Sequence, residues 1–310
     1  MKLVTFESSG DTPRVGALTA DGRGVVDLGA GFASMLSLID AGERGFQLAR
    51  ERVGRAERVL PRGDVRLLAP LPEPRQLRDA MCFEGHYRQG IRGMAVLRAG
   101  RVLGSLAVAV GAARIPRVWY EQPTYYKCNR FSVVGDGADV QWPRGAELMD
   151  YEAEVAAVIG RTGKDIPRDR ALSHVFGYTL FNDMTARDLQ EREMRASLGP
   201  AKGKDFDTGN VLGPCIVTAD ELTDPYSLVL EARVNGELWG AGRTSDMHHR
   251  WEDLIAYISR NETLYAGEVI GSGTVANGCG LEIGRFLPEG ALVEISAEGI
   301  GTLRSHLVRA

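Results

Sequence analysis

Between Met149 and Gly213 the chain reads Asp150-Tyr151-Glu152-Ala153-Glu154, then Asn182-Asp183-Met184-Thr185-Ala186-Arg187-Asp188-Leu189-Gln190, then Gly203-Lys204-Asp205-Phe206-Asp207-Thr208. Apolar runs at 153–160, 177–182 and 211–218 lie between and beside these polar clusters, and short apolar runs closed by turn residues read as buried strands. Side chains two apart on a strand share a face, so Glu152 and Glu154 point the same way while Ala153 and Val155 turn toward a core. Asp183 closes the next strand, where a side chain projects into a cavity mouth. Together Glu152, Glu154 and Asp183 offer hard oxygen ligands to one divalent cation. A carboxylate pair on an apolar strand is costly to bury without a counter-charge, and a cation supplies one. The plain alternative is chance, since Asp and Glu make up 41 of the 310 residues. Glu191 and Glu193 form a second such pair and read as a solvated helix face.

Asp183, Arg187 and Gln190 stand at i, i+4 and i+7, so a helix starting at Asp183 places them on one face. Arg187 and Gln190 then reach a substrate oxygen beside the metal; an N-cap aspartate with an ordinary i,i+4 ion pair fits the same spacing. Lys204 sits in a glycine-flanked turn suited to holding enolate or carboxylate charge. Upstream, Asp79 and His86 lie seven apart. His86 is a candidate general base because imidazole titrates near neutrality, and a lone histidine is otherwise structural.

Working outward, Lys2–Glu7, Arg14–Leu18 and Gly24–Leu28 read as strands, and Phe32–Ala49 as one amphipathic helix. Prolines 70, 72 and 74 form an extended connector, which divides the chain into a small N-terminal β/α domain (1–70) and a larger domain (71–310). Residues 87–118, rich in arginine and glycine and then in small apolar residues, read as a mobile loop or lid; a solvated basic loop is the first reading of Arg88, Arg92, Arg98 and Arg101, and contact with a second substrate carboxylate is the alternative. Further strands are expected at 131–134, 228–234, 292–297 and 301–308, and helices at 169–174, 184–196 and 247–260. Many short strands with few helices give a mixed α+β, β-rich fold. No GxGxxG follows a strand, so no dinucleotide site is expected.

The net charge of −4 argues against nucleic acid as the partner. Cys82, Cys128, Cys215 and Cys279 have no zinc spacing and read as buried free thiols of a reducing compartment. The start, Met1-Lys2-Leu3-Val4-Thr5, has no signal-peptide core, and no apolar stretch is long enough for a bilayer. These features describe a soluble cytoplasmic protein with no membrane partner.

The ordered motifs resemble the fumarylacetoacetate hydrolase superfamily over about residues 65–308. The Glu-x-Glu strand, the Asn182–Gln190 signature and Gly203–Thr208 followed by Leu212-Gly213-Pro214 carry the likeness, together with Thr244–Met247, Leu254–Tyr257, Gly271–Thr274 and Glu298–Leu303. The resemblance implies a β-roll C-terminal domain, a homodimer, and Mg²⁺, Ca²⁺ or Mn²⁺ held by Asp79, Glu152, Glu154 and Asp183. It gives His86 the role of catalytic base. It gives Tyr126, Arg187, Gln190, Lys204 and Thr274 contact with a small anionic 2-oxo or β-diketo acid. The implied reaction is metal-dependent hydrolysis of a carbon–carbon bond in an acylpyruvate-like acid. The alternative is a 2-oxo acid hydratase, isomerase, decarboxylase or tautomerase of the same superfamily. The sequence departs from both branches at the histidine's partner. Position 89 is glutamine, and after Thr274 no carboxylate comes before Glu282, which leaves Glu84 or Glu282 to orient His86. Met194 replaces an aromatic hydroxyl.

Overall fold

The computed structural model describes residues 1–8, 12–56 and 58–309. Ten strands run in one path through the larger sheet, and two short ones, Arg66–Leu67 and Val133–Val134, pair at its side. The path begins Val59–Pro61, Gly24–Asp27, Arg14–Leu18, Lys2–Glu7 and continues through Asn210–Thr218, Val175–Asp183, Ala153–Ile159, Val269–Gly271, Leu77–Ala80 and Tyr125–Lys127. The join between the first residues and the rest is antiparallel, Leu3 opposite Ile216. A second sheet orders Glu237–Arg243, Val229–Val234, Leu292–Ala297, Gly301–Val308 and Ala138–Gln141. Its strands alternate buried and open residues, as a sheet wet on one face does. Ala153–Ile159, by contrast, is buried at every position. Val155 and Leu180 of the large sheet and Leu230, Ile295 and Leu303 of the small one belong to one core between the sheets.

Register positions the chemistry. Ala153 pairs with Asn182 across antiparallel strands. Ala156 pairs with Gly271, and Gly271 in turn pairs with Asp79 in a parallel ladder. Asp79 lies opposite Tyr126 on the next strand. Strands Val175–Asp183, Ala153–Ile159 and Leu77–Ala80, with Val269–Gly271 between the last two, therefore bring Asp183, Glu152, Glu154 and Asp79 to one end of the sheet.

Three local expectations change. The helix expected over Phe32–Ala49 is two helices, Met35–Asp40 and Gly42–Arg55, parted where Gly42 takes a φ of 56°. The helix expected from position 184 begins at Arg187, because Thr185–Ala186 pairs as a strand with Met149–Asp150. Asp183 thus ends a strand and shares no helix face with Arg187 and Gln190. The expected loop at 87–118 is mostly helical: Glu84–Ala109 is helix on both sides of a break at Gly100 (φ 77°, ψ 167°). Gly104 then lies so close to Ala95 that a Cβ on it would meet the Ala95 carbonyl carbon at 2.6 Å, so the two arms fold back as a hairpin. All four cysteines are free and buried. Among the described residues no helix is long and apolar enough to cross a membrane.

Candidate metal centre and acid–base site

Carboxylate oxygens of Asp79, Glu152, Glu154 and Asp183 all lie within 4.8 Å of one another, and all four residues are buried. Lys204, at the end of the short helix Ala201–Lys204, drives its ammonium into this cluster. Its Nζ donates to Glu152 Oε2 at 2.7 Å, to Thr185 Oγ1 at 2.9 Å and to Asp183 Oδ2. Tyr126 donates its hydroxyl to the same Asp183 oxygen. The Gly273 amide donates to both Asp79 Oδ1 and Glu154 Oε2 at 3.1 Å. Thr274 Oγ1 reaches Glu154 Oε1 at 3.4 Å.

This balance is short of positive charge. Burial raises the Asp79 and Glu154 carboxyls, and each is further raised by carboxylates beside it. Burial pushes Asp183 up to about 7 even though Lys204 pulls against it. Burial also opposes charge on Glu152, but Lys204 and Arg187 outweigh it and hold that carboxyl low. Lys204 is in turn held cationic by Asp183 and Glu152 against burial.

A divalent cation fits the donor set. Oxygen-only, carboxylate-rich coordination suits Mg²⁺, Ca²⁺ or Mn²⁺. Asp183 Oδ1 is buried without a hydrogen-bond partner, as a lone pair reserved for a ligand would be. The strand opposite carries Gly271, where a Cβ would stand 2.5 Å from Asp79 Oδ1 and 2.9 Å from Glu154 Oε2. Any side chain there would crowd the carboxylates.

Arg187 stands beside the cluster in a rigid frame. Its Nε donates to Asp150 Oδ2 at 2.7 Å, its Nη1 donates to Gln190 Oε1 at 3.0 Å, and its Nη2 lies 2.7 Å from Glu152 Oε1. Asp150 also accepts the amides of Gly280 and Leu281 at 2.7 and 2.9 Å. This anchor belongs to the Asp-Tyr-Glu-Ala-Glu motif, yet sequence reasoning gave it no task. Its signal was its place two residues before Glu152, a spacing that a metal reading assigns to nothing.

His86 is buried in the first turn of the Glu84–Ala109 helix, and its Nδ1 lies 3.0 Å from Glu282 Oε1. Of the two candidate partners the fold brings only Glu282 to the imidazole. Glu84 instead accepts from Arg88 and from Tyr120 at 2.9 Å. A carboxylate on Nδ1 fixes the tautomer and leaves Nε2 to exchange a proton.

Two cavity lobes share Met81, Tyr87, Glu152 and Met194. One, of about 250 Å³, is lined by Asp79, Tyr126, Lys204 and Thr274; the other, of about 390 Å³, by His86, Arg187, Gln190 and the helical hairpin. The metal cluster and the imidazole therefore open onto one cleft. Of the four arginines Arg88, Arg92, Arg98 and Arg101, only Arg98 lines it, and its Nε is already 2.8 Å from Glu191. Arg88 pairs with Glu84, while Arg92 and Arg101 line a separate cavity. Glu191, expected on a solvated face, is buried between Arg98 and Arg195.

Comparison with known proteins agrees with this architecture. Residues 95–308 match the family model described as fumarylacetoacetate (FAA) hydrolase C-terminal. The mitochondrial oxaloacetate tautomerase fahd2 of Xenopus laevis is 32% identical over 319 aligned residues, covering 99% of this chain and 90% of that one. The oxaloacetate tautomerase YisK of Bacillus subtilis is 35% identical over 79% of this chain and 73% of its own. A solved structure, the fumarylacetoacetate hydrolase of psychrophilic Exiguobacterium antarcticum, superposes with a TM-score of 0.77 at 31% identity and covers both chains completely.

Proposed function

This chain belongs to the fumarylacetoacetate hydrolase family, and we propose that it is a divalent-metal-dependent tautomerase of a small 2-oxo acid, moving a proton between the carbon next to the carbonyl and the carbonyl oxygen. The observation that carries the reading is His86, held 3.0 Å from the buried Glu282 carboxylate and opening onto the same cleft as the four-carboxylate cluster. The 30–35% identical relatives named as oxaloacetate tautomerases support proton transfer over bond cleavage.

A divalent ion held by Asp79, Glu152, Glu154 and Asp183 would supply Lewis acidity toward the substrate's carboxylate and 2-oxo oxygens. His86 Nε2 takes the proton from the carbon next to the carbonyl. The C–H pair becomes the new carbon–carbon double bond, and the carbonyl π pair moves onto oxygen. Glu282 stabilises the imidazolium that forms. Arg187 and Lys204 meet the charge that gathers on oxygen, and Arg187 needs no reorganisation because Asp150 already fixes it. The proton then returns to oxygen, so the net change is one hydrogen shifted from carbon to oxygen. Gln190 holds the Arg187 fork in plane. Tyr126 and Thr274 line the head of the cleft.

A second reading, hydrolysis of a carbon–carbon bond, is favoured by the same pair acting on water rather than on carbon. One assay separates the two. Enol decay of oxaloacetate is followed by ultraviolet absorbance with Mg²⁺ or Mn²⁺, for the wild type and for His86→Ala, with products assayed. Tautomerisation predicts enol–keto exchange with no new acid released, slowed roughly 10²–10⁴-fold in His86→Ala and stopped by chelation. Cleavage of acylpyruvates into two acids would move the assignment to the hydrolase. No metal dependence in either reaction would sink both.

A further inference from the structure

Resting on the 2-oxo acid reading above, we propose that the larger lobe of the cleft is a subsite for an apolar substituent several carbons long on the far side of the reacting carbon, so that the preferred substrate is longer than a four-carbon diacid.

The charged groups of the metal centre form the floor of the site. Asp79, Glu152, Glu154, Asp183, Lys204 and Arg187 are tied to one another by the contacts described, and a 2-oxo acid head with two vicinal oxygens suffices to engage them. Above that floor the polar side chains on the 390 Å³ lobe are His86, Tyr87, Gln190, Arg98 and Arg114, and its remaining lining is apolar. Its walls carry Met81, Ile91, Met94, Met194 and Leu281, with the small side chain of Ala95 between. A lobe of this volume lies within the range of pockets that hold ligands much larger than pyruvate. Arg98 is tied back by Glu191, which Arg195 also holds from the other side. Arg114, the remaining guanidinium on the lining apart from Arg187, is exposed to water.

The chain builds this wall deliberately. The break at Gly100 turns the helix back on itself, and the close approach of Gly104 to Ala95 holds the arms together. Ile91, Met94 and Ala95 come from the first arm, while Ala112, Ala113 and Pro116 come from the segment after the second. The return segment is pinned: Trp119 Nε1 donates to the Met81 carbonyl at 2.6 Å. Methionines are flexible and polarisable, so a wall containing three of them adapts to chains of different shape. A small diacid would leave these apolar side chains in contact with water, whereas an alkyl chain would displace that water, with a gain of roughly threefold to fourfold in affinity per methylene.

The test uses acetyl-, butyryl- and hexanoylpyruvate on the Mg²⁺-loaded full-length protein, with kcat/KM for tautomer exchange or cleavage and Kd by calorimetry. Wild type should gain about threefold in kcat/KM and in affinity per added methylene. Met94→Gln should flatten that slope severalfold. Met194→Gln serves as the second variant, because Met194 is 46% exposed and its replacement leaves the core untouched; it too should flatten the slope. A slope that is flat or falls with chain length in the wild type, or that survives in both variants, overturns the subsite. Failure of the underlying reading looks different: no turnover of any acid, oxaloacetate included. In that case the calorimetric dependence on chain length still decides whether the lobe accepts the chain.

Discussion

Lys204 carries the largest single burden among the site's side chains. In the protein without a bound ion its ammonium is the counter-charge for both Glu152 and Asp183, and it is only 4% exposed. Removing one partner from a buried ionic cluster costs about 3–5 kcal/mol, because uncompensated charge stays behind. Lys204→Met should therefore lower the stability of chelated protein by that amount in urea denaturation, and Mg²⁺ should restore part of it through mass action. A loss below about 1 kcal/mol would mean that the carboxylates shed their charge by protonation and do not lean on the ammonium. Tyr126, whose hydroxyl spends its proton on Asp183, is the milder case: Tyr126→Phe removes one charge-assisted hydrogen bond, worth about 1.5–3 kcal/mol, and leaves the ring in place.

Among the elements, the hairpin of Glu84–Ala109 depends on one glycine. At Gly100 the backbone takes φ 77° and ψ 167°, a region that is in effect reserved for glycine. Gly100→Ala should cost about 1–3 kcal/mol locally, seen as faster amide exchange across 101–113 with the metal affinity of the carboxylate cluster unchanged. If exchange in that segment stays as slow as in wild type, the break is not what folds the arms together. This element was also the least legible in the sequence. Its second arm leaves Val102 79% and Val110 69% exposed, so its apolar residues do not report a buried face, and the pattern reads as loop. The long strands were legible because they are buried on both faces, which makes their apolar runs continuous. The site carboxylates were legible because fixed motifs mark the ends of those strands, Glu152 and Glu154 at the start of one and Asp183 at the close of another. The start of the Arg187–Met194 helix was not, since it is decided by the pairing of Thr185–Ala186 with Met149–Asp150, a contact across 37 residues of chain that local pattern cannot show. The same distance hid Asp150. Its partners Arg187, Gly280 and Leu281 meet only in the folded chain, and Asp150→Asn should loosen all three, costing about 3–5 kcal/mol in denaturant melts.

For the whole molecule, the carboxylate cluster couples stability to both pH and metal. Asp79 and Glu154 titrate above their ordinary values of 3.8 and 4.5, and Asp183 is pushed up to about 7. The folded chain without metal therefore holds more protons than the unfolded chain between about pH 4 and pH 7. With fewer protons bound in the unfolded state, the slope of unfolding free energy against pH is negative. That contribution to stability is complete below the unfolded values and is lost as pH rises through the folded ones. Glu152 works the other way: its carboxyl is held low, so its contribution is present above pH 4.5 and lost as the solution becomes more acid. The three raised groups outnumber it, and chelated protein should lose stability from pH 5 to pH 8. A divalent cation reverses the sign. It takes the ionised carboxylates, so binding releases protons, and apparent affinity should rise about tenfold per pH unit for each proton displaced until the raised groups are ionised. Urea melts at pH 5, 6.5 and 8 with chelator and with Mg²⁺ test the first half. Calorimetry at each pH in two buffers of different ionisation enthalpy counts the protons for the second. Chelated protein that grows more stable toward pH 8, or metal binding that releases no protons below pH 7, would show that the four carboxylates are already charge-balanced without an ion and that the cluster was built for something other than a metal.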